Sequence, residues 1–309
     1  MGRLLLVRSS AFRTSRLKKT ATALRADGHE VHILAWDRGI DDEAPLRDEI
    51  EADGFPVHEI WIGEAPYARG IWGLPDRLRY MYSVAQYIRR HSFDAIHAID
   101  LDSALPVALL RALGLYDVKF VFVVCRFLEF YYPLPDLVGR VIGKVGDWTL
   151  ARADLIVLPD ENRLGEVPPS EQSKVVIVTN APDFDDDHFA MLSDGESWSG
   201  ALDVFYYGSL ADDRGGELLL RAAEKLPTVN MCFAGWGENE PRVKEAADRL
   251  PNVEFFGLLS QEEVLRRAAK MDIIAMIYDP SYEVNQMASP NKLFEAMAIA
   301  RPVLVARGT

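Results

Sequence analysis

The 309-residue chain carries 34 basic and 47 acidic residues, a formal net charge of −13 at pH 7, and is 49% hydrophobic. That length favours two domains of about 100–200 residues each, and the composition is that of a globular protein, not a disordered or fibrous one. The charge makes nucleic acid a poor bulk partner, although an acidic protein can still focus a few cations around one phosphate pocket. Two cysteines, Cys125 and Cys232, each beside apolar strand-like residues, exclude a disulfide framework or a cysteine metal site and read as buried thiols. The N-terminal apolar run, centred on residues 4–7, is too short for a secretory signal, and no longer stretch reaches a membrane span. A cytoplasmic location is expected, with any membrane contact peripheral and at the inner face.

In chain order, RLLLVRS reads as a strand, 14–27 as a helix stopped by Gly28, and HEVHILAW and FPVHEIWI as strands. A helix over 75–90, the strand DAIHAI, a helix over 101–113, and the strands VKFVFVVC, ADLIVLP and KVVIVTN follow. Unbroken apolar strands separated by helix-length segments indicate a parallel sheet covered on both faces. Residues 183–200, DFDDDHFAMLSDGESWSG, are polar and turn-rich. They divide a first domain (1–182) from a second (203–309) through a linker (183–202) expected to permit relative movement. Beyond it DVFYYGS, VNMCFAGW, VEFFG, MDIIAMI and PVLVA read as strands, with helices over 216–226, 238–250, 261–269 and NKLFEAMAIA between them. PVLVARGT ends just after a strand with no covering helix, so the second domain is expected to continue beyond this chain. The predicted fold class is α/β, two Rossmann-like domains whose parallel sheets face a cleft, with ligands at the carboxyl ends of the strands.

Those strand ends carry the candidate binding residues. In YYGSLADDRGGELLL, Gly208 and Ser209 close a strand, and Arg214 precedes Gly215 and Gly216 at a helix entrance. Small residues let backbone amides approach an anion, and the guanidinium either meets a pyrophosphate or neutralises Asp212 or Asp213. Gly235 and Gly237 in GWGENE allow a ligand close, while Glu238 can instead serve the start of the next helix. In SPNKLFEAMAIARPVLV, Ser289 is suited to capping and Pro290 to the helix entrance, Asn291 and Lys292 supply donors, and Glu295 shares the face of Asn291. A carboxylate one turn into a helix can accept from a ribose diol while the helix entrance holds a diphosphate. The same pattern describes a capped amphipathic helix with Leu293, Phe294 and Met297 in the core. Two aromatic segments suit a sugar face or a lipid interface, or plain helix packing. One has Trp72, Tyr80 and Tyr82 with Arg69, Arg77 and Arg79; the other has Phe127, Phe130, Tyr131 and Tyr132.

The ordered set YGSLADDRGG, AGWGENE, FFGLLS and PNKLFEAMA, over 204–306, resembles the donor half of retaining GT-B glycosyltransferases of the group 1 type, which include polysaccharide and lipid glycosyltransferases and sucrose synthases. HEVHIL, DAIHAID, WTLARADLIVLP and VVIVTNAPD resemble the first half more diffusely. The resemblance implies transfer of a hexose-like sugar from a UDP- or GDP-sugar to a glycan, lipid-linked or small-molecule acceptor, with retention and with neither a further cofactor nor a metal. A catalytically weak nucleotide-sugar-binding protein and a GT-B epimerase are the alternatives; oligomeric state is left open. Carried over by position, Glu295 takes the ribose and Arg214 the diphosphate, and Gly208, Ser209, Gly235, Gly237, Leu258, Asn291, Lys292 and Leu293 line the donor. The residues read as catalytic are Arg214 and Lys292, beneath the leaving diphosphate, and Asp100, at a strand end on the acceptor side. Ser209, Met287 and Ile99 stand where relatives often carry an arginine, a carboxylate and a histidine. His97, inside an apolar strand, reads as sheet packing.

Overall fold

A computed structural model describes residues 1–9, 15–39, 50, 53–65, 70–125, 136–182 and 201–307. The chain forms two compact units, Met1–Thr179 and Asn180–Thr309. The expected linker lies outside the described residues from 183 to 200.

The first unit is a parallel sheet of β1 (Arg3–Arg8), β2 (Glu30–Asp37), β3 (Val57–Trp61), β4 (Ala95–Ile99), β5 (Lys119–Val123), β6 (Leu155–Leu158) and β7 (Val175–Ile177), ordered β3-β2-β1-β4-β5-β6-β7. Its helices are α1 (Ser15–Ala26), α2 (Leu74–Arg90), α3 (Leu101–Ala112) and α4 (Asp136–Leu150). Both faces are buried, as the unbroken apolar strands require. Leu5, Leu34, Ile96 and Phe120 pack with Tyr80, Val84 and Ile88 of α2 and Val107 of α3, whereas Leu6, Ile33 and Val121 meet Leu17 and Ala21 of α1. Helix α4 has no counterpart among the elements expected from sequence. Its DLVGRVIGKVGDWTL holds Gly139, Gly143 and Gly146, each roughly 1 kcal/mol less favourable than alanine in a helix. Packing of Ile142, Trp148 and Leu150 against the core overrides that penalty.

The second unit is a parallel sheet of β8 (Leu202–Ser209), β9 (Val229–Trp236), β10 (Val253–Phe255), β11 (Ile273–Met276) and β12 (Val303–Val305), ordered β10-β9-β8-β11-β12. Helices α5 (Gly216–Lys225) and α6 (Glu240–Arg249) bury Leu219, Ala223 and Val243 with Val204 and Tyr206. On the opposite face Ala268 of α7 (Gln261–Ala268) and Ala296 of α9 (Asn291–Ala298) pack with Phe205 and Tyr207. A single turn, α8 (Glu283–Gln286), precedes α9.

Strand order reverses between β1 and β4 in one sheet and between β8 and β11 in the other; such a switch point leaves a crevice at the carboxyl ends where doubly wound sheets bind ligands. Cys232 is buried as expected, but Cys125 is only partly so, because it follows β5 at the open end of the strand. Among the described residues no helix is long and apolar enough to cross a membrane, and no group of three or more His, Cys, Asp or Glu is arranged to hold a metal ion.

Where the parallel strands β8 and β9 end side by side, there is no room for a side chain at Gly235. Gly208 pairs with Gly235, whose φ is 145°, and a Cβ added at Gly235 would stand 1.8 Å from the Gly208 carbonyl oxygen. Gly235→Ala is therefore expected to destabilise the second unit by about 3 kcal/mol, read as a lower urea midpoint. A midpoint equal to that of the parent would contradict the close approach.

Candidate functional site

Backbone hydrogen bonds knit the strand ends of the second unit into one surface. Leu210 N–H donates to the Trp236 carbonyl at 2.7 Å and Gly235 N–H to the Gly257 carbonyl at 2.8 Å, joining the loops after β8, β9 and β10. Gly237 lies against Leu210, and Glu238 accepts the Asp212 N–H at 3.2 Å, so it bridges two loops ahead of α6. Gly215, at φ 73°, starts α5 so close to the end of β11 that a Cβ there would meet Ile277 at 2.6 Å. Asn285 locks the same corner: its amide donates to Asp213 Oδ2 at 3.1 Å and to the Asp279 carbonyl at 3.0 Å. Arg214, leaving this corner, sits 3.3 Å from Asp213 Oδ2 and spreads its guanidinium 4.3 Å over the Tyr278 ring. The pairing with Asp213 considered from sequence is thus present, together with an aromatic shelf.

Helix α9 buries its charges. Lys292 is 7% and Glu295 6% exposed, while Met297 is 65% exposed. An ordinary amphipathic helix does the reverse, so of the two readings of this helix the one with Met297 in the core does not hold: Ala296 and Ile299 pack inward instead. Lys292 Nζ donates to the Ala275 carbonyl of β11 at 3.2 Å and lies 4.0 Å over the Tyr206 ring and 5.0 Å over that of Tyr207. Glu295 Oε2 accepts the Tyr207 hydroxyl at 2.9 Å and Oε1 accepts the Gln261 amide at 3.1 Å. Burial pushes the Lys292 ammonium down to about 7, the Glu295 charge opposing the fall and Arg214 adding to it. Burial, with Glu295 beside it, raises the Tyr207 hydroxyl, which stays a donor. The helix entrance departs from expectation: Pro290, not Ser289, holds the N-cap position and offers no side-chain acceptor. The Ser289 carbonyl accepts from Asn180 instead, at 2.9 Å.

Gly208, Ser209, Arg214, Gly235, Gly237, Lys292 and Glu295 therefore gather at the ends of β8, β9 and β11. Asn291 is exposed at the first position of α9, Leu293 is half-buried, and Leu258, after β10, is exposed. In the first unit Asp100 ends β4 beside the switch point at φ 64°, an uncommon conformation for a residue with a side chain. Its Oδ1 accepts the Cys125 N–H at 3.0 Å. Burial pushes the His97 imidazole of β4 down to about 4, so it is neutral at pH 7, in keeping with sheet packing. Of the aromatic candidates, Tyr80 is fully buried and stacked on Trp36 at 4.8 Å, which removes it from any exposed sugar platform, while Trp72 and Tyr82 are exposed. Arg77 is spent on Asp102 and Arg79 reaches Asp76 at 3.4 Å. Arg69, Phe127, Phe130, Tyr131 and Tyr132 lie outside the described residues.

The family model for glycosyl transferase 4-like domains matches residues 14–163, and that for glycosyl transferases group 1 matches 201–308. The chain belongs to the group 1 family of GT-B glycosyltransferases. Solved structures share its fold. A glycosyltransferase from Rickettsia africae is 16% identical over 99% of this chain and 79% of its own, with a TM-score of 0.64. The catalytic domain of starch synthase IV from Arabidopsis thaliana, bound to ADP and acarbose, is 11% identical over 98% and 82%, TM-score 0.61. UDP-GlcNAc 2-epimerase from Neisseria meningitidis, bound to UDP-GlcNAc, is 14% identical over 99% and 83%, TM-score 0.58. A search of curated protein sequences finds no match.

The sequence reading of this glycosyltransferase misses the residues that hold its charges: Tyr206, Tyr207, Gln261, Tyr278 and Asn285. Tyr206 and Tyr207 read as strand aromatics, and nothing local to Gln261 announces a partner 34 positions away. Tyr207→Phe is expected to cost about 1.5–3 kcal/mol of stability, because it removes a hydrogen bond to a buried carboxylate. A double-mutant cycle with Glu295→Gln, read by urea unfolding, checks it. Additive effects would contradict a Tyr207–Glu295 interaction.

Proposed function

We propose that this glycosyltransferase takes a hexose-like sugar from a UDP- or GDP-sugar held by the second unit and passes it, with retention, to a glycan, lipid-linked or small-molecule acceptor. The observation that carries the reading is the inverted burial of α9, which keeps a lysine and a glutamate inside and a methionine out. Fold stability alone gains nothing from that choice. A ligand bearing hydroxyls and negative charge does.

In this reading Glu295, oriented by Tyr207 and Gln261, accepts from the donor ribose. The nucleoside lies along the loop of Leu258, and Asn291 and Leu293 bound the start of α9, whose positive dipole end faces the diphosphate. Gly208, Ser209, Gly235 and Gly237 let the backbone approach the donor closely. Arg214 and Lys292 stabilise the negative charge that builds on the departing diphosphate. The acceptor hydroxyl forms its bond to the anomeric carbon on the face from which the diphosphate leaves, and its proton passes to a diphosphate oxygen. Asp100 takes the acceptor-side role. The ADP of the starch synthase and the UDP-GlcNAc of the epimerase, on the same fold, support a nucleoside diphosphate as the ligand class.

Titration calorimetry with UDP, GDP and ADP tests this directly. Glu295→Gln is expected to weaken the preferred nucleotide by about 1.5–3 kcal/mol, roughly 10- to 150-fold, while the fold persists. An unchanged Kd together with unchanged kcat/KM would overturn the ribose role of Glu295.

A further inference from the structure

Three of the chain's six histidines meet toward the amino ends of β2 and β3, beside the last turn of α2 and away from Asp100 at the carboxyl end of β4. His32 of β2 and His58 of β3 stack with ring centres 5.6 Å apart, and His32 Nδ1 stands 3.3 Å from His58 Nε2. His58 also lies 5.2 Å from the Tyr87 ring and 6.5 Å from that of His91, centre to centre. His91 caps α2, stacks on Tyr87 at 4.2 Å and donates Nδ1–H to the Tyr87 carbonyl at 2.8 Å. From β1, Arg3 brings its Nε to 3.1 Å from His32 Nε2 and 3.3 Å from Glu30 Oε1, with its guanidinium over Phe93. Glu30 Oε1 is 2.7 Å from the same His32 nitrogen.

This arrangement has room for few protons. His32 Nε2 either donates to Glu30 or accepts from Arg3, and in both tautomers one proton lies between His32 Nδ1 and the facing His58 nitrogen. A second proton sets N–H against N–H. His32 is 6% exposed, on the side of β2 that also carries Leu34 and Trp36, so little water is at hand to solvate a cation. Burial, then His32, His91 and Arg3, push the His58 imidazole below its ordinary range. Glu30, held low first by its hydrogen bond with His32, is already shared with Arg3, and Arg89 and Arg90 add positive charge at the end of α2. The Tyr87 hydroxyl, buried, has no hydrogen-bond partner among the described residues. Strand β3 has little else to hold it, since it is an edge strand paired with β2 alone and presents His58 and Ile60 to the α2 side. Glu59 alternates to the opposite face.

We propose that the His32–His58–His91 cluster is an acid-sensitive latch, which ties β3 and the last turn of α2 to the sheet at neutral pH and releases them below about pH 6.5. In the unfolded chain His58 protonates near its ordinary value of about 6.5, whereas the folded cluster resists that proton. The latch's contribution is therefore fully present above about pH 6.5 and is lost as pH falls through that value toward the lower folded one. The second unit supplies none of these residues, so acid acts on the first unit alone. The latch is independent of the donor site.

The test is hydrogen exchange of the full chain at about pH 7.5 and about pH 5.5, corrected for the intrinsic exchange rate. Peptides covering 57–61 and 87–93 are expected to exchange several-fold faster at the lower pH, with those of β8 and β9 unchanged. His58→Gln, which keeps a polar side chain but cannot titrate, should abolish the pH effect. His32→Gln should blunt it, because His58 then loses the ring that faces it. Nuclear magnetic resonance of the parent's imidazoles gives a second readout that needs no variant to fold: the His58 ring should stay neutral below its ordinary range. Equal exchange of β3 at the two pH values, a pH effect that survives in His58→Gln, or an ordinary His58 titration would each overturn the proposal.

Discussion

Lys292 and Glu295 stand one helical turn apart on the side of α9 that faces the sheet, and much of the second unit is arranged around keeping them there. Removing two ionisable groups from water costs several kcal/mol each unless partners replace the lost solvation. The replacements come from every neighbouring element: the Ala275 carbonyl of β11, the rings and a hydroxyl of Tyr206 and Tyr207 on β8, and the Gln261 amide at the start of α7. Each substitute is a fixed dipole or a ring face, so the charges sit in a low-dielectric setting with little left to reorganise. In such a setting charge acts strongly on a ligand.

The backbone makes complementary room. Glycines at 235 and 237 let the end of β9 and its loop lie against the end of β8 and Leu210, and Gly215 presses the start of α5 onto the end of β11. Asn285 then ties the Arg214 loop to the segment after β11. The result is a surface of backbone and short side chains beside the β8/β11 switch point, bordered by one partly exposed arginine and one buried lysine. The topology sets where the crevice lies, and the glycines let the chain reach it.

The alternation of strands and helices was legible because parallel strands buried on both faces must be apolar throughout, and VNMCFAGW and DVFYYGS cannot be read otherwise. Helix α4 was illegible for a local reason, its three glycines, which only packing against the sheet offsets. At the site, the residues tied to glycine or to a helix entrance could be named from sequence: Gly208, Gly235, Arg214, Lys292 and Glu295. The partners that hold them could not, since Tyr207 and Glu295 are 88 positions apart and meet only through the order of the sheet. Met297 shows the limit of periodicity most clearly. Hydrophobic pattern allowed it in the core as one of two readings, whereas the helix is rotated to bury its charged residues.

The most direct measurement is the proton balance of nucleoside diphosphate binding. Burial pushes the Lys292 ammonium down to about 7, and a diphosphate bound beside it, as proposed above, would raise its affinity for a proton. Binding should therefore take up a proton above about pH 7, and affinity should fall as pH rises from about 7 to 9. Calorimetry of UDP binding at about pH 8, in buffers of different ionisation enthalpy, is expected to show uptake approaching one proton, lost in Lys292→Met. A heat independent of buffer, with a Kd flat between about pH 7 and 9, would contradict a buried lysine beneath the diphosphate.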